Sequence, residues 1–167
     1  MRDLNKYAAE CIKEIRSYGI DEDFSEWKFV VDGRCSNRMG QCRYSKKEIG
    51  ISEFMLDEKI LNDDHWLKDT IIHELLHVAA PRSGHKGKWK ALANQVNVRS
   101  GGKYNIRRCG DFDEMGIKRK PKKIKYIVEC PKCGYQWKYT RMCNTVKHAE
   151  YYRCGKDHTN LRLISCV

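Results

Sequence analysis

The sequence predicts an α+β fold, with helices packed on a small antiparallel sheet and a separate cysteine-bearing module at the C-terminal end. Three observations carry this. Segments with a helical apolar period alternate with short apolar runs of strand length. The charge changes sharply along the chain: residues 1–100 hold 17 Lys and Arg against 16 Asp and Glu, whereas residues 101–167 hold 16 against 6. Beyond that change stands a tight cysteine turn, Cys130-Pro131-Lys132-Cys133-Gly134. A length of 167 residues suits one compact domain plus a small module. We place the domain at 1–117, a basic linker at 118–125 and the module at 126–167.

In chain order, residues 3–18 read as a helix with Leu4, Tyr7, Ala8, Cys11, Ile12 and Ile15 on one stripe. Trp27 to Val31 is a short strand, and 41–51 contains its partner. Ser52 to Leu56 starts a turn or short helix. A nearly continuous apolar sleeve over 64–80, including Leu67, Ile71, Ile72, Leu75, Leu76 and Val78, is a buried helix. Asn62 or Asp63 caps its start, and Pro81 with Gly84 ends it. The next helix runs from about Lys86 to Val98, burying Trp89, Leu92, Ala93 and Val96, and Ser100-Gly101-Gly102 stops it. Residues 103–117 are irregular by pattern. Lys118 to Lys123 is basic around the helix breaker Pro121, hence the linker. No internal repeat is visible, and no apolar run approaches the roughly 20 residues that cross a bilayer.

Inside the buried helix stands His73-Glu74-Leu75-Leu76-His77. Residues four apart share a helix face, so the two imidazoles can hold one metal ion together. Glu74, one step round, can take a proton from a water that the ion activates. Unpaired His and Glu in so apolar a helix would be costly, and metal ligation removes the cost. A catalytic zinc needs a third protein ligand and an open position. His85, brought back by the turn through Gly84, is the candidate. A metzincin spacing would put a third His at Ser83. A thermolysin-like Glu is lacking, since no Glu lies between Glu74 and Glu114.

In the module, Cys130 and Cys133 form a zinc knuckle: the tight turn points two thiolates at one ion. Tyr135-Gln136-Trp137-Lys138-Tyr139 alternates like a strand, which argues against a redox C-x-x-C at a helix start. Cys154 supplies a third ligand from a second turn. For the fourth we favour His158 over Cys143, Asp157 or Cys166. Tyr135, Trp137 and Tyr139 share one strand face beside Lys138 and Arg141. They serve either as a base-stacking platform or as the module's small core.

The set His73-Glu74-x-x-His77, then His85, then Lys88-Trp89-Lys90-Ala91-Leu92-Ala93 resembles the SprT-like (Spartan-type) metalloprotease domain. Arg38 to Tyr44 and Ile49 to Ser52 look like the hairpin that precedes that family's metal helix, and Asp69-Thr70-Ile71-Ile72 leads into the motif as its members do. The resemblance covers roughly residues 25–165. It implies a zincin-like domain followed by a zinc ribbon, two zinc ions (one catalytic, one structural), and substrates that are proteins bound or crosslinked to DNA. The sequence departs from the family pattern at Asp157, where a cysteine would stand three after Cys154.

The expected function is therefore a zinc-dependent endopeptidase. His73, His77 and His85 hold the ion, Glu74 moves the proton, and the basic ribbon binds DNA, single-stranded or irregular. The net charge of +11 lies almost wholly in residues 101–167, which points to a polyanion partner and away from a membrane. The alternatives are a non-enzymatic nucleic-acid-binding zinc protein with a structural His site, and hydrolysis of another bond by the same chemistry. A structural site has no use for Glu74. Tyr104 and Arg107 are candidates to stabilise an oxyanion. Nine cysteines, with no apolar signal core behind Met1, suit a reducing cytoplasm, or a nucleus in a eukaryote.

Overall fold

The structure, a computed structural model, describes residues 1–33, 37–117 and 123–166, with side chains as far as Ile164. The chain divides into two compact units, Met1–Arg119 and Lys120–Val167. Most of the expected linker, 118–122, lies outside the described residues.

In the first unit, helix α1 (Leu4–Ser17) starts where the Asp3 carboxylate accepts the amides of Asn5 and Lys6, at 2.9 and 3.2 Å. It buries Leu4, Ala8, Cys11 and Ile15, with Tyr7 and Ile12 half-covered beside them. Strands β1 (Lys28–Asp32), β2 (Gly40–Arg43) and β3 (Glu48–Ser52) form one sheet in the order β1-β3-β2. This sheet is mixed, where a wholly antiparallel one was expected. β2 and β3 are an antiparallel hairpin, with Cys42 opposite Ile49. β1 pairs parallel with β3, with Val30 opposite Gly50. The reason is topological: β3 lies between β1 and β2, and its hairpin with β2 turns it to run the same way as β1. Ile49 and Ile51 on the central strand are fully buried.

Helix α2 (His65–Ala79) carries the apolar sleeve. The Asp63 carboxylate accepts the His65 amide at its start (2.9 Å), and Ala80 caps its end immediately before Pro81. Helix α3 (Gly87–Arg99) buries Trp89, Ala93 and Val96 and leaves Leu92 half-exposed. Residues 103–117 form no helix or strand. They are nevertheless held in place, because the Asn97 amide pairs with the Ile106 backbone at both ends (N–H to Oδ1 2.7 Å, Nδ2 to O 3.1 Å). This side chain does for the loop what a neighbouring strand would do, and it fixes the backbone at Arg107.

The second unit is an antiparallel sheet in the order β5-β4-β6, made of β4 (Tyr126–Glu129), β5 (Gln136–Tyr139) and β6 (Arg162–Cys166), with a short helix α4 (Asn144–Lys147). Its buried core is small: Val128, Cys130, Val146, Ala149, Cys154 and Leu161. Trp137 and Tyr139 are half-buried against this core, which puts them on its structural side, whereas Tyr135 is 53 % exposed. A core this small needs a staple. Among the described residues no helix is long and apolar enough to cross a membrane.

Leu75 sits in α2 at 0 % exposure, whereas Val98 in α3 is 79 % exposed. Leu75→Ala should destabilise the first unit by about 2–5 kcal/mol through lost burial and the cavity left behind. Val98→Ala should stay within about 0.5 kcal/mol of the parent. Urea unfolding followed by far-ultraviolet circular dichroism measures both.

Candidate active site and metal centres

His73 and His77 lie one turn apart on α2, and the turn after Pro81 brings His85 to meet them. The three Nε2 atoms converge: His73 to His85 is 3.0 Å and His77 to His85 is 3.2 Å. Bonds of about 2.0–2.1 Å to a tetrahedral zinc would set its nitrogen ligands about 3.3 Å apart, so the donor set fits that ion closely. Burial, and then the mutual effect of neighbouring imidazoles, pushes His73 down to about 3 and His77 down to about 4. Burial first and the Arg108 charge second lower His85. The rings are thus neutral, with lone pairs to offer. His73 Nδ1 donates to the Arg107 carbonyl (2.9 Å), which leaves its Nε2 bare and pointed at the cluster.

The site is also supported from below and from the side. The Trp89 ring lies 4.8, 5.5 and 4.7 Å from the rings of His73, His77 and His85, and its indole N–H reaches the His73 carbonyl at 3.4 Å. The Tyr44 hydroxyl donates to the His77 carbonyl at 2.7 Å. These partners hold the ring orientations that the helix alone leaves free.

Glu74 lines the same cleft, only 6 % exposed. Burial raises its carboxyl to about 7, against the opposing pull of the Cys42 amide and the Arg38 charge. The close approach of β2 requires Gly40. A Cβ there would meet Glu74 Cγ at 2.9 Å and Thr70 Cγ2 at 3.0 Å. Neither Gly40 nor the Arg107 carbonyl was singled out from sequence, since both act through long-range contacts. The cleft, about 640 Å³, is walled by β2, by α2 and by the 105–110 loop. Asp69 also lines it. One of its oxygens accepts the Asn105 amide at 3.4 Å and the other is buried without a partner among the described residues, so burial raises this carboxyl to about 6.

The two oxyanion candidates fare differently. Tyr104 is buried away from the cleft with its hydroxyl on Glu14. Arg107 lines the cleft, but its guanidinium is paired with Glu114 at 2.5 Å.

In the second unit, Cys130, Cys133, Cys154 and Asp157 bring one ligand atom each within 4.8 Å of one another. Cys133 and Cys154 sulfurs are 3.7 Å apart, and Cys130 sulfur is 3.4 and 3.5 Å from the Asp157 oxygens. Sulfur ligands at about 2.3 Å from a tetrahedral zinc would lie about 3.8 Å apart, so this set fits as well. Asp157 therefore replaces the expected His158, which is exposed and outside the cluster. The two turns explain the correction. The amide of Gly134 bonds the Cys130 carbonyl, and the amide of His158 bonds the Cys154 carbonyl in the same way, both at 2.9 Å. Gly134 at φ +69° and His158 at φ +58° are equivalent left-handed turn residues, one position past the ligand. The Thr159 amide holds Asp157 down to about 2, ionised and ready to bind a cation. Cys143 lies half-buried outside the cluster, and the Cys166 side chain lies outside the described residues.

Against known proteins, the SprT-like family model matches residues 8–110, more than half of the chain. The match runs from α1 through the cleft loop and leaves the cysteine module outside. No curated protein matches.

Native mass spectrometry should count two zinc ions on the chain. His85→Ala should lower the count by one, because two imidazoles alone hold zinc weakly. Asp157→Ala should also cost one ion, whereas His158→Ala should cost none. Loss of an ion in the His158 variant alone would return the fourth ligand to His158.

Proposed function

The chain belongs to the SprT-like family, and we propose that it is a zinc-dependent endopeptidase acting on DNA-bound or DNA-crosslinked proteins. The family brings a metalloprotease-like domain. The observation that carries the finer reading is the convergence of three neutral imidazoles at 3.0–3.2 Å, with an unligated, buried carboxylate in the same cleft.

His73, His77 and His85 would hold the ion. Zinc bound there supplies Lewis-acid polarisation of a peptide carbonyl and a more acidic water. Glu74 accepts the proton of the attacking water and returns it to the leaving amine. Its raised affinity for a proton suits both transfers near neutral pH. β2 is an edge strand, and Met39, Gly40 and Cys42 line the cleft. An extended substrate segment can pair with this free edge and so bring its carbonyl to the histidines. An extended segment must first be unfolded, which favours loops and disordered stretches of a protein over its folded core.

The second unit is the proposed DNA-binding part. Residues 120–167 hold 11 Lys and Arg against 3 Asp and Glu, a net of +8, and Tyr135 remains exposed with the Lys156 ammonium 5.8 Å from its ring. Trp137 and Tyr139 belong to the core side, so phosphate contacts carry most of the affinity and sequence preference is weak. Single-stranded or irregular DNA offers Tyr135 a base face. Seven cysteines are free among the described residues, which suits work in a reducing cytoplasm.

Glu74→Gln should keep fold and zinc while cutting proteolysis by about 10²–10⁴-fold, because an amide cannot accept the proton. Cleavage of a DNA-binding protein, with and without DNA, reads this, and full activity in the variant would remove Glu74 from the mechanism.

Cys130→Ser with Cys133→Ser should abolish most DNA affinity, since a module this small depends on its metal to fold. Binding by the parent chain should also fall steeply with salt as condensed counterions are no longer released favourably. Fluorescence anisotropy with a labelled oligonucleotide measures both, and unchanged affinity in the double variant would move the DNA surface to the first unit.

A further inference from the structure

Two arginines at the mouth of the cleft have no carboxylate partner among the described residues. Four arginines line it: Arg38, Arg82, Arg107 and Arg108. Arg38 is paired with Asp32 and Arg107 with Glu114. Arg82 and Arg108 are exposed and enter no ion pair among the described residues. Arg82 stands just past α2 at φ +61°, a left-handed conformation that Gly or Asn adopts at less cost. Tyr44, which lines the same cleft, donates its hydroxyl to the His77 carbonyl earlier in the chain. The turn that carries Arg82 thus leaves the helix beside one of the three histidines. Arg108 follows the residue whose carbonyl orients His73, and its charge bears on His85. The two acids of the cleft, Asp69 and Glu74, are largely withdrawn from solvent and offer these guanidinium groups no salt bridge.

We propose that Arg82 and Arg108 bind carboxylate side chains of the substrate on either side of the scissile bond, so that the chain cuts beside Asp or Glu in preference to Lys or Arg. This rests on the peptidase reading above. Guanidinium binds carboxylate bidentately and in a fixed orientation, which suits selection at a defined position. Guanidinium also binds phosphate, but the observations favour a peptide. Residues 1–117 hold 20 Lys and Arg against 19 Asp and Glu, so this part of the chain has no general excess for a polyanion. The cleft wall is apolar around Met39, Trp66, Ile106 and Phe112, as suits amino-acid side chains. A polynucleotide seated on both arginines would also lie across the path a peptide takes to the histidines.

The test uses the zinc-loaded full chain and a library of unstructured synthetic peptides, with cut sites read by mass spectrometry. Cuts should concentrate beside Asp or Glu. Arg82→Glu with Arg108→Glu should shift the ratio of acidic to basic cut sites by roughly tenfold toward basic ones. Arg82→Gln with Arg108→Gln should shift it less, in the same direction, and guards against misfolding of the reversed variant. Lys88→Glu with Lys90→Glu makes the same change of net charge on exposed positions of α3 and should leave the ratio alone. A ratio that neither arginine variant moves overturns the proposal. So does a reversal that weakens only the binding of a single-stranded oligonucleotide, which would make nucleic acid the occupant. If the parent chain cuts no peptide at all, the peptidase reading fails separately. Anisotropy of a labelled acidic and a labelled basic peptide on the zinc-loaded chain then decides: preference for the acidic peptide supports the proposal, and equal binding overturns it.

Discussion

Three imidazole lone pairs directed at one point are the constraint on which the geometry of the cleft depends. Neutral rings with Nε2 atoms 3.0–3.2 Å apart repel one another unless a cation or a proton lies between them. Burial disfavours the proton on all three, because a charged imidazole would be stranded in an apolar setting. The arrangement is therefore organised for a metal before the metal arrives. The rings cannot turn aside, since Trp89 lies against all three and the Arg107 carbonyl fixes the tautomer of His73.

That constraint explains parts of the fold remote from chemistry. Asn97 on α3 clamps Ile106, and the clamp puts the next carbonyl where His73 needs it. Gly40 lets the edge strand come down on α2, close against Glu74 and Thr70. The mixed sheet serves the same end. With β3 in the middle, buried at Ile49 and Ile51, β2 is left on the edge with its outer side facing the cleft. A central β2 would have both sides occupied by its own sheet and none for a substrate.

What could be read from sequence follows the range of the interactions. His73 and His77 are legible because a four-residue spacing on a helix is a local rule. The helices were legible from apolar period and caps, and α1, α2 and α3 lie within about two residues of the bounds expected. The parallel pairing of β1 was not, because strand direction depends on which edge of β3 stays free. Gly40 and Asn97 were not, because each matters through a residue more than eight positions away. The fourth ligand of the module was within reach. Cys154-Gly155-Lys156-Asp157-His158 repeats the turn of Cys130-Pro131-Lys132-Cys133-Gly134 position by position, and the repeat puts Asp157 where Cys133 stands. The structure gathers Asp157, and not the expected His158, with the three cysteines.

The two candidate metal sites stand in opposite relations to their surroundings. The first unit has a broad core of aliphatic and aromatic side chains reaching from α1 to α3, so its fold has reasons to persist that do not involve the histidines. An ion held by the three histidines would be free to act as a reagent in the cleft. The second unit has six buried side chains, and two of them, Cys130 and Cys154, are themselves ligands. An ion there would be part of the core, with Cys130, Cys133, Cys154 and Asp157 to hold it. An open site on a self-sufficient scaffold and a closed site on a scaffold that lacks one are what distinguish a catalytic from a structural zinc. By that criterion the proposed chemistry and the proposed DNA contact lie in separate units, and each unit would use a metal for a different reason.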